Sequence, residues 1–110
     1  MIRTIDVGND FSKILTNRDI SQRDGSFTAI EFRNSFLKEL DDDNQWKDDA
    51  TFCVLDFRNV DRLGPSWANE VFAYFARYAK PERILRKITL ANISSVKRAI
   101  IEKEIETGYY

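Results

Sequence analysis

Three short apolar runs along the chain predict β-strands. The first lies at Ile2 to Val7 and the third at Ile84 to Ala91. Between them, Thr51 to Phe57 is apolar on both faces, which is typical of a central strand that is covered on both sides or paired in parallel. Residues 8–27 fit two interpretations, a further strand or a turn followed by a loop that packs against the core.

Two segments between these runs place apolar residues at helical spacing. The first begins at Thr28, which forms a capping box with Glu31 three residues later. The second begins at residues 64–66, where a proline suits the first helical turn and Ser66 is a candidate cap, and it ends at Pro81. The predicted core faces of these helices consist of Ala29, Phe32, Phe36, Leu37 and Leu40, and of Ala68, Val71, Phe72, Phe75, Ala76 and Ala79.

A third helix follows the last strand. It begins at Ser94 or Ser95, runs through Glu106 and stops at Gly108. The alternation of strands and helices predicts an α/β fold with right-handed crossovers. We expect a small, mostly parallel or mixed sheet of three to five strands with about three helices, and one domain over residues 1–110.

Composition narrows the chemistry that this domain can carry. The chain has no histidine and one cysteine, Cys53, which lies in an apolar run and is expected to be a buried, unreactive thiol. A net charge of −1 gives no long-range attraction to nucleic acid or anionic lipid. No apolar run reaches membrane-spanning length and the first residues lack an apolar signal core, so we expect a cytoplasmic protein.

Polar residues cluster after the second predicted strand, where the functional edge of a parallel sheet lies. In one interpretation their carboxylates form a hydrolytic pair or a magnesium site. In the other, Asp56 and Asp61 accept hydrogen bonds from loop amides, and the helix dipole favours Glu70. Without histidine, a glycine-rich phosphate loop or a lysine beside the serine, nothing activates a nucleophile. We therefore predict no metal, no cofactor and no enzymatic activity; the edge residues are Asp56, Asp61, Ser66, Asn69 and Glu70.

Residues 54–72 resemble the STAS-like family of uncharacterised bacterial and phage proteins. The shared features are an apolar strand ending in Asp56 and Phe57, a loop through Val60, and a helix opening with Ser66 and Glu70. The resemblance covers residues 26–91 and implies a STAS-like fold.

The better-known relatives of that family are the STAS domains of anti-sigma-factor antagonists. There, a partner kinase phosphorylates a serine at the helix start, and Ser66 matches this serine by position. Such a phosphate would be stabilised by free helix amides and would repel an acidic partner. The sequence departs from that pattern at residues 64–65 and 67–68, so Ser66 has two interpretations, a phospho-acceptor or a helix cap. The resemblance implies a partner with a histidine-kinase-type ATP-binding fold.

An aromatic stripe on the second helix, Trp67, Tyr74 and Tyr78, lies about 100° from the core face. Large aromatics with a polar tip are frequent interface anchors, so we predict that these three residues and Glu70 contact a partner protein; the alternative is that a neighbouring helix covers them. The first hypothesis for function is a non-enzymatic regulatory interaction module. The second is a structural homo-oligomer, such as a homodimer, assembled through this stripe and Ile101 and Ile105, and the third is a small hydrolase or phosphotransfer enzyme.

Overall fold

The computed structural model describes residues 2–18 and 27–110. Its strands are β1 (Arg3–Asp6), β2 (Ile14–Leu15), β3 (Cys53–Asp56), β4 (Arg62–Leu63) and β5 (Ile88–Ala91). Its α-helices are α1 (Val7–Asp10), α2 (Ala29–Phe36), α3 (Pro65–Val71), α4 (Pro81–Lys87) and α5 (Ser95–Thr107). Short 3-10 helices span Lys38–Leu40, Asp43–Trp46 and Ala73–Arg77. The predicted α/β class is confirmed.

The main sheet is parallel and has the order β1-β3-β5, so the apolar run at residues 51–57 supplies the central strand, as predicted. Leu55 lies in register between Ile5 on one side and Leu90 on the other. A second, two-stranded parallel sheet pairs β2 with β4. The interpretation of residues 8–27 as containing a strand is therefore right at β2, and residues 19–26 of that stretch lie outside the described residues.

Three of the predicted helix boundaries are confirmed. The Thr28 side chain accepts a hydrogen bond of 3.1 Å from the Glu31 amide at the start of α2. Ser94 caps α5 by accepting from the Lys97 amide at 3.2 Å. Gly108 ends α5 with a φ of 95°, a left-handed conformation that glycine adopts without steric cost.

The second predicted helix is wrong in its extent. It breaks after Val71 into the 3-10 helix Ala73–Arg77, and Pro81 does not end a helix but occupies the first turn of α4. Lys80 is extended, as a residue before proline prefers to be, and the proline then suits a new helix start. The strand expected within residues 84–91 is β5, which begins at Ile88, and residues 84–87 belong to α4.

The core lies between the main sheet and the helices, with α3 packed against both α2 and α5. Phe72 and Phe75 are fully buried, whereas Ala76 is exposed and does not belong to the core face predicted for it. Cys53 is buried, and burial raises the pKa of its thiol to about 11, so the thiolate is scarce at neutral pH. Within the two described ranges, no helix is long and apolar enough to cross a membrane.

Candidate functional site

Ser66 lies in the first turn of α3, directly after β4. The N-cap of α3 is Gly64, Pro65 occupies the first helical position, and within the described residues no side chain caps this helix. The prediction that Ser66 is the cap is therefore wrong, because the helix begins one residue before it. The Ser66 side chain is half-buried at the edge of the domain.

A groove of about 380 Å³ lies between the β2–β4 pair and the start of α5; we call it the α5 groove. Its apolar walls are Leu63, Val96 and Ile100, and its charged rim includes Asp61, Arg62 and Lys97. Val96 is 70% exposed, and Ile14, which pairs with Arg62 in the sheet register, is 41% exposed. The α5 groove is thus an apolar surface with charged margins, close in the chain to Ser66.

The predicted edge residues do not form one cluster. Asp56 ends β3 and accepts a hydrogen bond of 2.9 Å from the Arg58 amide, which is the loop-amide role expected for it. Asp61 is exposed and lies at the α5 groove. Across the described part of the chain, no group of three or more His, Cys, Asp or Glu residues is arranged to hold a metal ion.

Asp6, which the sequence interpretation did not single out, lies beside Asp56 at the carboxyl ends of β1 and β3. Its carboxylate accepts from the Asn9 amide at 3.1 Å, and from the side-chain amides of Asn9 at 3.0 Å and Asn59 at 2.9 Å. The hydrogen bond from the Asn9 amide is the largest cause that lowers the pKa of Asp6. Asp6 is the N-cap of α1, and an aspartate, a residue type favoured at helix N-caps, was the available signal at this position.

Glu70 lies on α3 and is buried beside Arg33 of α2 and Arg18, which follows β2. The Arg18 guanidinium lies 3.1 Å from one carboxylate oxygen, and Arg33 pairs with the other. Arg33 also donates to the Glu70 carbonyl at 3.0 Å, and the Tyr109 hydroxyl lies 3.1 Å from the carboxylate. With an exposure of 2%, Glu70 does not lie on the surface of the folded chain, which corrects the prediction of an exposed partner contact.

Asn69 is also buried, with no exposed surface, so its predicted place on the rim is wrong. Its side-chain amide donates to Glu104 at 3.2 Å and to the Gly108 carbonyl at 2.9 Å. Its carbonyl oxygen accepts from Arg18 at 3.2 Å and from the Tyr110 amide at 3.2 Å. Asn69 therefore joins α3 to α5 and to the residues after α5.

Trp67 has no exposed surface either, and its predicted contact with a partner is wrong. Its ring centroid lies 5.0 Å from that of Phe32 on α2 and 6.3 Å from that of Phe72. The alternative interpretation holds, since a neighbouring helix covers the indole. That helix is α2, which carries Phe32. Since α5 also packs against α3, α3 is in contact with two helices.

Tyr74 and Tyr78 are half-buried. Both hydroxyls donate to the Asp41 carboxylate, and the Tyr74 hydroxyl lies 2.8 Å from its acceptor oxygen. The Tyr74 ring lies between the guanidinium groups of Arg33 and Arg77, whose carbons are 3.7 and 3.8 Å from its centroid. Both tyrosines keep part of their surface exposed, but Asp41 holds both hydroxyls and the two arginines flank the Tyr74 ring. The sequence could not reveal Asp41 as their partner, because it lies more than thirty positions away.

The hydrogen bond to Asp41 is the main cause that raises the pKa of Tyr78 to about 12, from an ordinary 10.0. A phenol whose pKa is raised by folding stabilises the fold fully below pH 10, and this contribution is lost as the pH rises through about 12. We expect Asp41→Asn to shift the phenolate titration of Tyr78, followed by ultraviolet absorbance, towards lower pH. Asp43→Asn, a neighbouring exposed acid, should leave it unchanged; equal titration curves for wild type and Asp41→Asn would contradict the geometry.

A family model described as a STAS-like domain of unknown function matches residues 28–98, well over half of the chain. The chain belongs to this family. The match runs from the Thr28 cap into α5 and includes Ser66 and most of the α5 groove, which confirms the resemblance carried by residues 54–72. The comparisons with curated proteins and with solved structures gave no match.

Proposed function

We propose that this STAS-like chain is a non-enzymatic regulatory module that binds a partner protein at the α5 groove. The observation that supports the proposal most directly is the exposed apolar surface of the groove. Val96 exposes 70% of its surface on α5, and Ile14 adds a second exposed aliphatic side chain on the neighbouring β2. Exposed apolar patches with a polar rim are typical of protein-interaction sites.

The rim of the groove defines the chemistry of the partner. Arg62 and Lys97 provide two positive charges, against one negative charge from Asp61. We therefore infer that the partner presents an apolar side chain flanked by acidic residues. The relatives of this family suggest a protein with a histidine-kinase-type ATP-binding fold as the first partner to test.

Ser66 would act as the switch of this surface. Leu63 lines the groove and precedes Ser66 by three residues, a chain distance of at most about 10 Å. A phosphate on Ser66 would add about two negative charges beside a site for an acidic segment, so phosphorylation would release the partner.

The experiment compares capture of a partner from the native host by the wild-type chain and by three variants. Val96→Asp and Ser66→Asp should both lose a protein that the wild type captures, since the first places a negative charge in the groove and the second places one near it. Ile2→Asp is the matched control, because Ile2 is 53% exposed and does not line the groove. Affinity measured with the purified partner should then fall by about tenfold or more for Val96→Asp, the equivalent of about 1.4 kcal/mol.

Capture of the same proteins by the wild type and by Val96→Asp would contradict the groove as the binding site. Loss of the partner with Val96→Asp but not with Ser66→Asp would retain the module and reject the switch. Each variant is first checked for an unchanged circular dichroism spectrum, so that loss of binding is not loss of fold.

The second hypothesis, a structural homo-oligomer, is supported less well by the structure. The side chains proposed for self-assembly, Trp67, Ile101 and Ile105, have exposures of 0–3% and are used by the chain's own core. The enzyme hypothesis is also supported less well, because the predicted edge residues do not lie together in one cluster.

A further inference from the structure

Residues 108–110, which we call the latch segment, fold back onto α3 after α5 ends. The φ of 95° at Gly108 turns the chain, and the next two residues run past Asn69 and Glu70. Tyr109 and Tyr110 are 43% and 65% exposed, so the segment lies on the surface while its polar contacts reach inward.

The latch segment lies over a recess formed by Arg18, Asn69, Glu70 and Tyr74. The recess contacts both the backbone and the side chains of the segment. The buried Asn69 amide group donates to the Gly108 carbonyl at 2.9 Å and accepts from the Tyr110 amide at 3.2 Å. The two bonds join one side chain to a carbonyl and an amide two residues apart, as a neighbouring β-strand would do. Because both bonds are made to the backbone, they would hold an extended peptide whatever its side chains.

Side-chain contacts add selectivity to this backbone recognition. The Tyr109 hydroxyl meets the Glu70 carboxylate at 3.1 Å, and its ring packs edge-to-face against Tyr74 with centroids 5.5 Å apart. The Arg18 guanidinium lies 5.2 Å from the Tyr109 centroid and 5.1 Å from that of Tyr110. A segment of the type Gly-Tyr-aromatic therefore satisfies the recess.

Glu70 and Asn69 are also held by contacts that do not involve the latch segment. Glu70 is held by Arg33 through both its carboxylate and its carbonyl, and Asn69 also bonds to Glu104 on α5. Because these contacts do not involve residues 108–110, they would hold Glu70 and Asn69 in place if the latch segment were displaced.

We propose that the recess formed by Arg18, Asn69, Glu70 and Tyr74 is a second binding site, for an extended Gly-Tyr-aromatic segment of a partner polypeptide, and that the chain's own latch segment closes it. The site is separate from the α5 groove and does not rest on the function proposed there. A partner segment would bind by displacing residues 108–110.

The test uses the full chain with Tyr109→Ala and Tyr110→Ala, which removes the aromatic contacts that hold the latch segment closed. The probe is a fluorescein-labelled peptide with the sequence of residues 104–110, and binding is followed by fluorescence anisotropy. If the latch segment is closed about 90% of the time, the wild type should bind the peptide about tenfold more weakly than the double variant. A peptide with phenylalanine in place of the first tyrosine should bind more weakly than the parent peptide, because it cannot contact Glu70.

A folded double variant that binds the peptide no better than the wild type would overturn the proposal. If the double variant does not fold, the isotopically labelled wild type is titrated with excess unlabelled peptide and followed by nuclear magnetic resonance. Shifts of the Asn69 side-chain amide and the Tyr110 backbone amide are then expected, and unchanged signals for both groups would overturn the proposal equally.

Discussion

Replacing Trp67 with alanine is expected to lower the free energy of unfolding by about 3–5 kcal/mol. The side chain has no exposed surface and packs against Phe32 and Phe72, so its loss leaves a cavity between α2 and α3. Urea denaturation measures the effect as a lower midpoint with an unchanged slope. Because the indole lies in the chain's own core, Trp67→Ala should weaken association with a partner only to the extent that it unfolds the chain.

Trp67→Phe is the matched control for this experiment. The Trp67 indole nitrogen has no hydrogen-bond partner among the described residues, and a buried unsatisfied donor costs about 1–3 kcal/mol. Phenylalanine removes that donor and keeps most of the ring, so the variant should be clearly more stable than Trp67→Ala. A Trp67→Ala chain with wild-type stability and weakened association would instead place the indole at an interface.

Local signals were the ones that could be read from the sequence. Thr28 and Ser94 are caps because each hydroxyl reaches an amide three residues on, and Gly108 stops α5 through its own backbone freedom. The central strand was readable because Cys53, Val54 and Leu55 form a continuous apolar run, in which Cys53 and Leu55 are buried and Val54 is half-buried. These features depend on a few neighbouring residues and not on the rest of the fold.

For the helix after β4, helical spacing in the sequence predicted the wrong buried face. A single straight helix from Ser66 to Pro81 would turn Trp67 and Tyr74 onto one face, away from Phe72. In the structure α3 ends at Val71 and a 3-10 helix follows, so residues 67 and 74 no longer share one regular helical surface. The core also encloses α3 on two sides, which helical spacing alone cannot reveal because it assumes one buried face.

The buried polar contacts of Glu70 and Asn69 could not be predicted from the sequence, for a different reason. Glu70 and Arg33 are 37 positions apart, and Asn69 and Arg18 are 51 apart. Such pairs are brought together by the packing of α3 against α2 and α5, and the spacing of charges along the chain contains no trace of them. Glu70 was therefore interpreted as an exposed group near a helix start, although it is among the most buried charges described.

Glu70→Ala is expected to destabilise the chain by about 3–5 kcal/mol, because removing one member of a buried ion pair leaves uncompensated charge. Two guanidinium groups, Arg18 and Arg33, would lose their shared carboxylate while their side chains are only 17% and 12% exposed. The Tyr109 hydroxyl would also lose its contact. Urea denaturation near neutral pH measures the loss.

Two further variants separate charge from packing in this result. Glu70→Gln keeps the shape and a carbonyl oxygen for Tyr109, so a loss close to that of Glu70→Ala would assign the effect to the negative charge. Glu102→Ala removes the partner of Arg98 in an exposed pair on α5, 3.7 Å apart, and such pairs contribute less than about 1 kcal/mol. The buried network should also keep its contribution in high salt, since salt screens exposed charges far more than buried ones. If Glu70→Ala cost no more than Glu102→Ala, Glu70 would be a solvated residue and the recess beneath the latch segment would not exist as described.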